Sequence, residues 1–219
     1  MLTAPVDAGT VETTTAEVAA TAGWPHRAAA LLWPGAAPVA AALAARGWEA
    51  VELLVVARPA ERLPGGERAE VVGQSELHSF WDRSWRRDLA PHPDLDTVVA
   101  QLIGREHRND EVVAVTDVGV REGGRVVAAG QLRVDGATAA DESVVTEPGF
   151  RGRGHADAVL ARLLTLAADA GCDRVVLQAD AADWPRQWYA RRGFVAVGST
   201  WDVVRPARVQ AGATTESNR

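Results

Sequence analysis

The stretch Val144-Val145-Thr146-Glu147-Pro148-Gly149-Phe150-Arg151-Gly152-Arg153-Gly154-His155-Ala156 joins a predicted strand directly to a predicted helix. A diphosphate is held by several peptide N–H groups converging on it with no Cβ atoms in the way. A strand–turn–helix with Gly152 and Gly154 supplies that arrangement, and the helix dipole favours the negative charge. Arg151 and Arg153 are candidates to pair with phosphate oxygens. The same residues would also make a tight turn that binds nothing. A nucleotide-binding loop is disfavoured, because no Gly-Lys-Ser/Thr ending follows and the preceding strands read as antiparallel.

The elements that position this turn follow from periodicity. Pro38 and Gly47 bracket a helix, and residues 50–57 form a strand. Residues up to 22 carry no clear period and are expected to be loosely ordered. Pro64-Gly65-Gly66 reads as a linker. Leu77, Phe80, Trp81 and Trp85 recur at helical spacing, as do Leu95, Val98, Val99, Leu102 and Ile103. Residues 111–121, 125–134 and 138–146 then read as antiparallel strands, punctuated by Gly123-Gly124 and Asp135-Gly136. After Pro148 come a helix over 155–170, an apolar strand over 174–179, a short helix over 185–192 and a strand over 195–204. This order predicts a mixed-sheet α/β domain over 70–206, with 207–219 as a flexible tail.

The chain also resembles itself. Trp33-Pro34, Arg46-Gly47-Trp48 and Arg58-Pro59 parallel Trp184-Pro185, Arg192-Gly193-Phe194 and Arg205-Pro206. Residues 23–62 are therefore read as a truncated half-domain, or alternatively as a common helix–Gly–strand unit. Leu43 stands where the C-terminal copy has Tyr189, and no glycine-rich turn precedes it. The expected role of this segment is packing or homodimerisation.

Arg151, Gly154 and Ala156 resemble the Arg-x-x-Gly-x-Gly/Ala signature of the GNAT acetyltransferase superfamily. Thr146-Glu147-Pro148 is similar to its Val-x-Pro lead-in, and Trp188-Tyr189 with Gly193-Phe194 to its aromatic-Tyr-x-x-x-Gly-Phe element. The resemblance spans 70–206 and implies the GNAT-like acyl-CoA N-acyltransferase fold with splayed central strands. It departs from the pattern at Ala182-Asp183-Trp184, where many members carry an Asn that helps to hold the cofactor.

The resemblance implies acetyl-CoA as co-substrate, bound by Val144, Val145, Thr146, Arg151, Gly152, Arg153, Gly154, His155, Ala156 and Tyr189. A backbone N–H near Val144 or Val145 would polarise the thioester carbonyl. An acceptor amine would attack directly, so no nucleophilic Ser or Cys is needed. Tyr189, the only tyrosine, would protonate the leaving thiolate, since a phenol pKa of about 10 lies above a thiol's roughly 8.5. Glu142 is the candidate base, taken to share a face with Val144 and Thr146 by strand alternation, with Glu147 and Asp183 as rivals.

Bulk properties narrow the remaining classes. A net charge of −6 over 219 residues makes nucleic acid an unsuitable partner. One cysteine, Cys172, allows neither an intrachain disulfide nor a multi-thiol metal site, and it is read as structural; no metal is expected. The apolar run over 28–45 is interrupted by Pro34, Gly35 and Pro38, so no membrane association is expected and the cytoplasm is the default location. The expected partner is a small-molecule or peptide amine acceptor. A non-catalytic acyl-CoA-binding module acting through a protein partner is the alternative.

Overall fold

The computed structural model describes residues 1–109 and 111–206. The predicted tail over 207–219 lies outside them. The chain forms two compact units, Ala57–Leu177 and the non-contiguous Met1–Val56 with Gln178–Arg219. Residues 178–206 thus cluster with the N-terminal segment rather than with 70–177, a different division from the one read in the sequence.

The non-contiguous unit holds α1 (Ala8–Ala22), β1 (Arg27–Leu31), α2 (Ala37–Ala44), most of β2 (Glu49–Pro59), α6 (Pro185–Ala190) and β8 (Val195–Arg205). β1 runs antiparallel to β8, from Arg27 opposite Arg205 to Leu31 opposite Trp201. The expectation of a loosely ordered N-terminus is wrong. Residues 8–22 are helical, capped by Asp7, whose Oδ1 accepts from Thr10 N at 2.7 Å, and closed by Gly23. The helix buries Ala8, Val11, Thr15 and Ala19, a stripe of small residues too weakly apolar to give a visible period. Glu12 anchors it, accepting from Arg46 at 2.7 Å, Trp48 Nε1 at 3.3 Å and Arg205 at 3.2 Å.

The two helix–Gly–strand units are alike in their hydrogen bonds. Arg46 N and Trp48 N donate to Leu43 O at 2.9 and 3.2 Å, as Arg192 N and Phe194 N donate to Tyr189 O at 2.8 and 3.2 Å. Leu43 and Tyr189 occupy the same place in the two turns. Leu43 is fully buried in a core with Leu31, Trp33, Trp48 and Val203.

The contiguous unit contains β3 (Glu70–Val72), α3 (His78–Leu89), α4 (Leu95–Asn109), β4 (Ala114–Glu122), β5 (Arg125–Asp135), β6 (Thr138–Thr146), α5 (His155–Asp169) and most of β7 (Arg174–Asp180). Its strands lie in the order β7-β6-β5-β4-β3, antiparallel from β3 to β6 and parallel between β6 and β7. The apolar side of α5 (Val159, Leu160, Leu163 and Leu164) is buried on one face. Phe80 and Trp81 of α3 pack with Val72, Val126 and Ala129 on the other.

The predicted linker is a strap along α5. Ala60 N donates to Asp173 O at 3.1 Å, Arg62 Nε to Asp169 Oδ1 at 2.6 Å, and Leu63 N to Thr165 Oγ1 at 3.3 Å. Gly66 is buried so tightly that a Cβ would stand 2.9 Å from Arg162 N. Arg68 then reaches the first turn of α5, with Nη2 3.2 Å from Gly154 O. Gly66 signals close packing here and Gly65 a left-handed turn with φ of 91°, not flexibility. Among the described residues no helix is long and apolar enough to cross a membrane.

Candidate active site

After Thr146 the chain makes a 3₁₀ turn over Pro148–Phe150 and enters α5 through Gly152 and Gly154, both with φ of 75°. That left-handed geometry is why glycine stands at both positions. Phe150 N and Arg151 N are satisfied locally, by Glu147 O at 2.9 Å and Pro148 O at 3.3 Å. The N–H groups of Gly152, Arg153, Gly154, His155 and Ala156 find no acceptor among the described residues. No side chain caps α5. The turn therefore presents a run of uncommitted donors at the positive end of a helix dipole, an arrangement whose chemistry suits an anion.

The side chains of the turn are directed back onto the protein. Arg151 Nε donates to Thr146 O at 3.2 Å. Arg153 Nη1 pairs with Glu122 Oε2 at 2.8 Å and Nη2 donates to Gly149 O at 3.1 Å, while the guanidinium lies 5.0 Å from the Phe150 ring centre. His155 is buried, its Nε2 2.8 Å from Glu122 Oε1 but not aligned for a hydrogen bond.

β6 leads into the turn with a bulge. Ala129 opposes Val145 and Gln131 opposes Glu142, so Ser143 and Val144 together face Gly130. Ser143 takes φ of 58°, the one left-handed non-glycine residue among those described. The bulge breaks the alternation expected for Glu142. Val144 packs on the α5 side, against the place a Gly130 side chain would occupy beside Val159 and Leu163. Glu142 lies on the opposite, α3 side with Gln131 and Val145, so its predicted common face with Val144 and Thr146 is wrong. The parallel ladder of β6 with β7 covers only Thr138–Ala140 and Arg174–Val176, and β6 runs on past it.

The α3 side carries a polar chain. Gln131 Nε2 donates to the buried Asp117 Oδ1 at 3.0 Å, Arg133 Nε donates to Gln131 Oε1 at 2.9 Å, and Arg133 lies 3.6 Å from Glu142. Trp81, Trp85, Gln131 and Ser143 line a small enclosed space above it. On the α5 side, Asp141 is buried with both carboxyl oxygens lacking a hydrogen-bond partner among the described residues. Burial, reinforced by the Glu142 charge, holds its carboxyl well above the ordinary range. Burial likewise raises the Cys172 thiol.

The two rival bases are committed elsewhere. Glu147 is buried and accepts from Arg83 Nε at 2.8 Å and from Arg125. Asp183 Oδ1 accepts from Trp184 N at 2.7 Å. Tyr189 belongs to the other unit, on α6, with Trp188 and Phe194 edge-on at 4.8 and 5.4 Å. Sequence reasoning missed Arg68, Arg83, Glu122 and the Asp117–Gln131 pair. Polar residues inside otherwise apolar strands were the available signal for the last two.

Residues 75–194, more than half of the chain, match the acetyltransferase (GNAT) family. A relative from Oryza sativa subsp. japonica, described as a probable glucosamine 6-phosphate N-acetyltransferase 2, is 34% identical over 97 residues, 41% of this chain and 57% of that protein. The chain thus spans little more than half of that relative. Among solved structures, a GCN5-related N-acetyltransferase from Kribbella flavida superposes with a TM-score of 0.60 at 19% identity, covering 94% of this chain and 79% of that one. A functionally unknown conserved protein from Staphylococcus epidermidis gives 0.66 at 13% identity, covering 94% and 83%.

Proposed function

The chain belongs to the GNAT acetyltransferase family, and from that premise we propose that it transfers the acetyl group of acetyl-CoA to a primary amine by direct attack. The observation that carries this reading is the run of uncommitted peptide N–H groups from Gly152 to Ala156 at the start of α5.

In this reading those N–H groups hold the diphosphate of the acyl donor, while Arg151 and Arg153 leave their protein partners to flank it. The bulge turns the backbone of Ser143 and Val144 out of the regular ladder, and one N–H at Val144 or the adjoining Val145 polarises the thioester carbonyl. Tyr189 donates a proton to the departing thiolate. Glu142 accepts the proton of the incoming ammonium, through water, from the α3 side of β6. Glu147 is left out, since its buried carboxylate is held between two arginines.

The acceptor is proposed to be a small-molecule amine, a class supported by the name of the Oryza relative, a probable glucosamine 6-phosphate N-acetyltransferase. The N-terminal segment, with Leu43 in the place of Tyr189, is proposed to serve packing or homodimerisation. The test is release of free CoA thiol from acetyl-CoA across a panel of amines that includes amino-sugar phosphates, polyamines and peptides. Amine-dependent thiol release supports the enzyme. Binding of CoA with no turnover on any amine would favour a non-catalytic acyl-CoA-binding module.

A further inference from the structure

We propose that Arg68, carried by the strap on α5, is a positioning residue for the diphosphate turn, a proposal that rests on the assignment of that turn to the acyl donor. Arg68 Nη2 donates to Gly154 O at 3.2 Å, and Nη1 lies 3.5 Å from Arg153 O. A trans peptide is planar, with its N–H directed opposite to its C=O. The guanidinium therefore binds the carbonyl side of peptides 153–154 and 154–155, and the N–H groups of Gly154 and His155 point away from it. Those are two of the uncommitted donors.

Two effects follow. The fork fixes the orientation of both peptide planes, in a turn where glycine at 152 and 154 leaves the backbone free to rotate. It also sets a permanent positive charge behind the donors, which polarises them toward an anion. Gly154 O accepts from Ala158 N at 3.1 Å as well, so the same atom joins the strap to the first helical bond of α5. The approach of Arg68 is itself fixed, because buried Gly66 abuts the backbone at Ala161 and Arg162, and Arg62 and Leu63 pin the strap further along.

The experiment compares wild type with Arg68→Ala, Arg68→Gln and Arg68→Lys, using two acyl donors. Acetyl-CoA has the diphosphate, and S-acetylpantetheine has no phosphate. Calorimetry gives the Kd for CoA, and steady-state kinetics give kcat and KM for both donors. Arg68→Ala and Arg68→Gln are expected to raise the Kd for CoA and the KM for acetyl-CoA roughly tenfold, at unchanged kcat. Their kcat/KM for S-acetylpantetheine should match wild type, and Arg68→Lys should fall between. Unchanged CoA affinity in both neutral variants overturns the proposal. So does an equal loss with both donors, because a general structural defect does not distinguish a donor with phosphates from one without. Failure of the wild type to bind CoA is a separate result, which removes the underlying assignment of the turn before any variant is compared.

Discussion

Val144 fills the space that a side chain at Gly130 would need: a Cβ there would stand 3.2 Å from Val144 Cγ2 and 2.7 Å from Val159 Cγ1. The missing side chain at one position of β5 thus lets the bulged strand settle against α5. Gly130→Ala is expected to force the bulge outward and to destabilise the fold by about 1–3 kcal/mol, the range for overpacking a close-packed core. Urea unfolding would show a lower midpoint at an unchanged slope. CoA affinity should fall with it. A variant as stable as wild type would mean that the bulge yields without resistance.

Glu147 ties the start of the turn to the sheet and to α3. Its carboxylate is buried, and it accepts from Arg83 and Arg125 while its own N donates to Val127 O at 2.9 Å. Glu147→Gln removes one charge and leaves two guanidinium groups without their counterion. The arginine side chains are 38% and 51% exposed, so water compensates in part. The expected loss is roughly 1–2 kcal/mol, between the values for an exposed and a buried pair. Chemical denaturation measures it, and a loss within the error of a surface substitution would disprove the anchoring role.

Asp141 gives the protein a pH-dependent stability of definite sign. The unfolded chain releases this proton near the ordinary aspartate pKa of about 3.9, whereas the folded state keeps it to well above that value. Between the two, the folded state binds more protons, so stability is greatest below the ordinary pKa and declines as pH rises toward the folded one. Asp141→Leu abolishes that decline. At pH 7 it should be more stable than wild type by about 1–3 kcal/mol, since an unsatisfied buried carboxyl is replaced by an apolar group of similar size. Parallel stability profiles for the two proteins from pH 4 to pH 8 would contradict this.

Tyr189→Phe tests the proton donor. Turnover should drop on the order of 100-fold, with CoA affinity held within about twofold, because the phenol acts on the leaving group and not on the bound donor. Replacing the acetyl thioester with one whose thiol is more acidic should recover part of the loss. Turnover equal to wild type would remove the phenol from the proton transfer.

What the sequence made legible was whatever local chemistry dictates. Gly123-Gly124 and Asp135-Gly136 take positive φ at their glycines and turn the strands where expected. α5 begins at His155, the start of the helix expected over 155–170, and buries Val159, Leu160, Leu163 and Leu164. Features set by distant partners were not legible. α1 is held by Glu12 contacts to Arg46 and Arg205, which no local window contains. Residues 60–68 have no period of their own, because an irregular segment takes its course from the helix beneath it. The bulge at Ser143 has no residue-type signature, since serine seldom adopts positive φ, and missing it placed Glu142 on the wrong face.

The antiparallel pairing of β1 with β8 governs the order in which this chain can be built. Arg27 and Arg205 face each other across that pair, so β1 is synthesised well before the strand it pairs with. The stretch from Ala57 to Leu177 is continuous and can close while synthesis proceeds. The earlier residues must wait for Val203 and Trp201 of β8 to complete their core around Leu31, Trp33 and Trp48, and until then that core is open to aggregation on the β8 side.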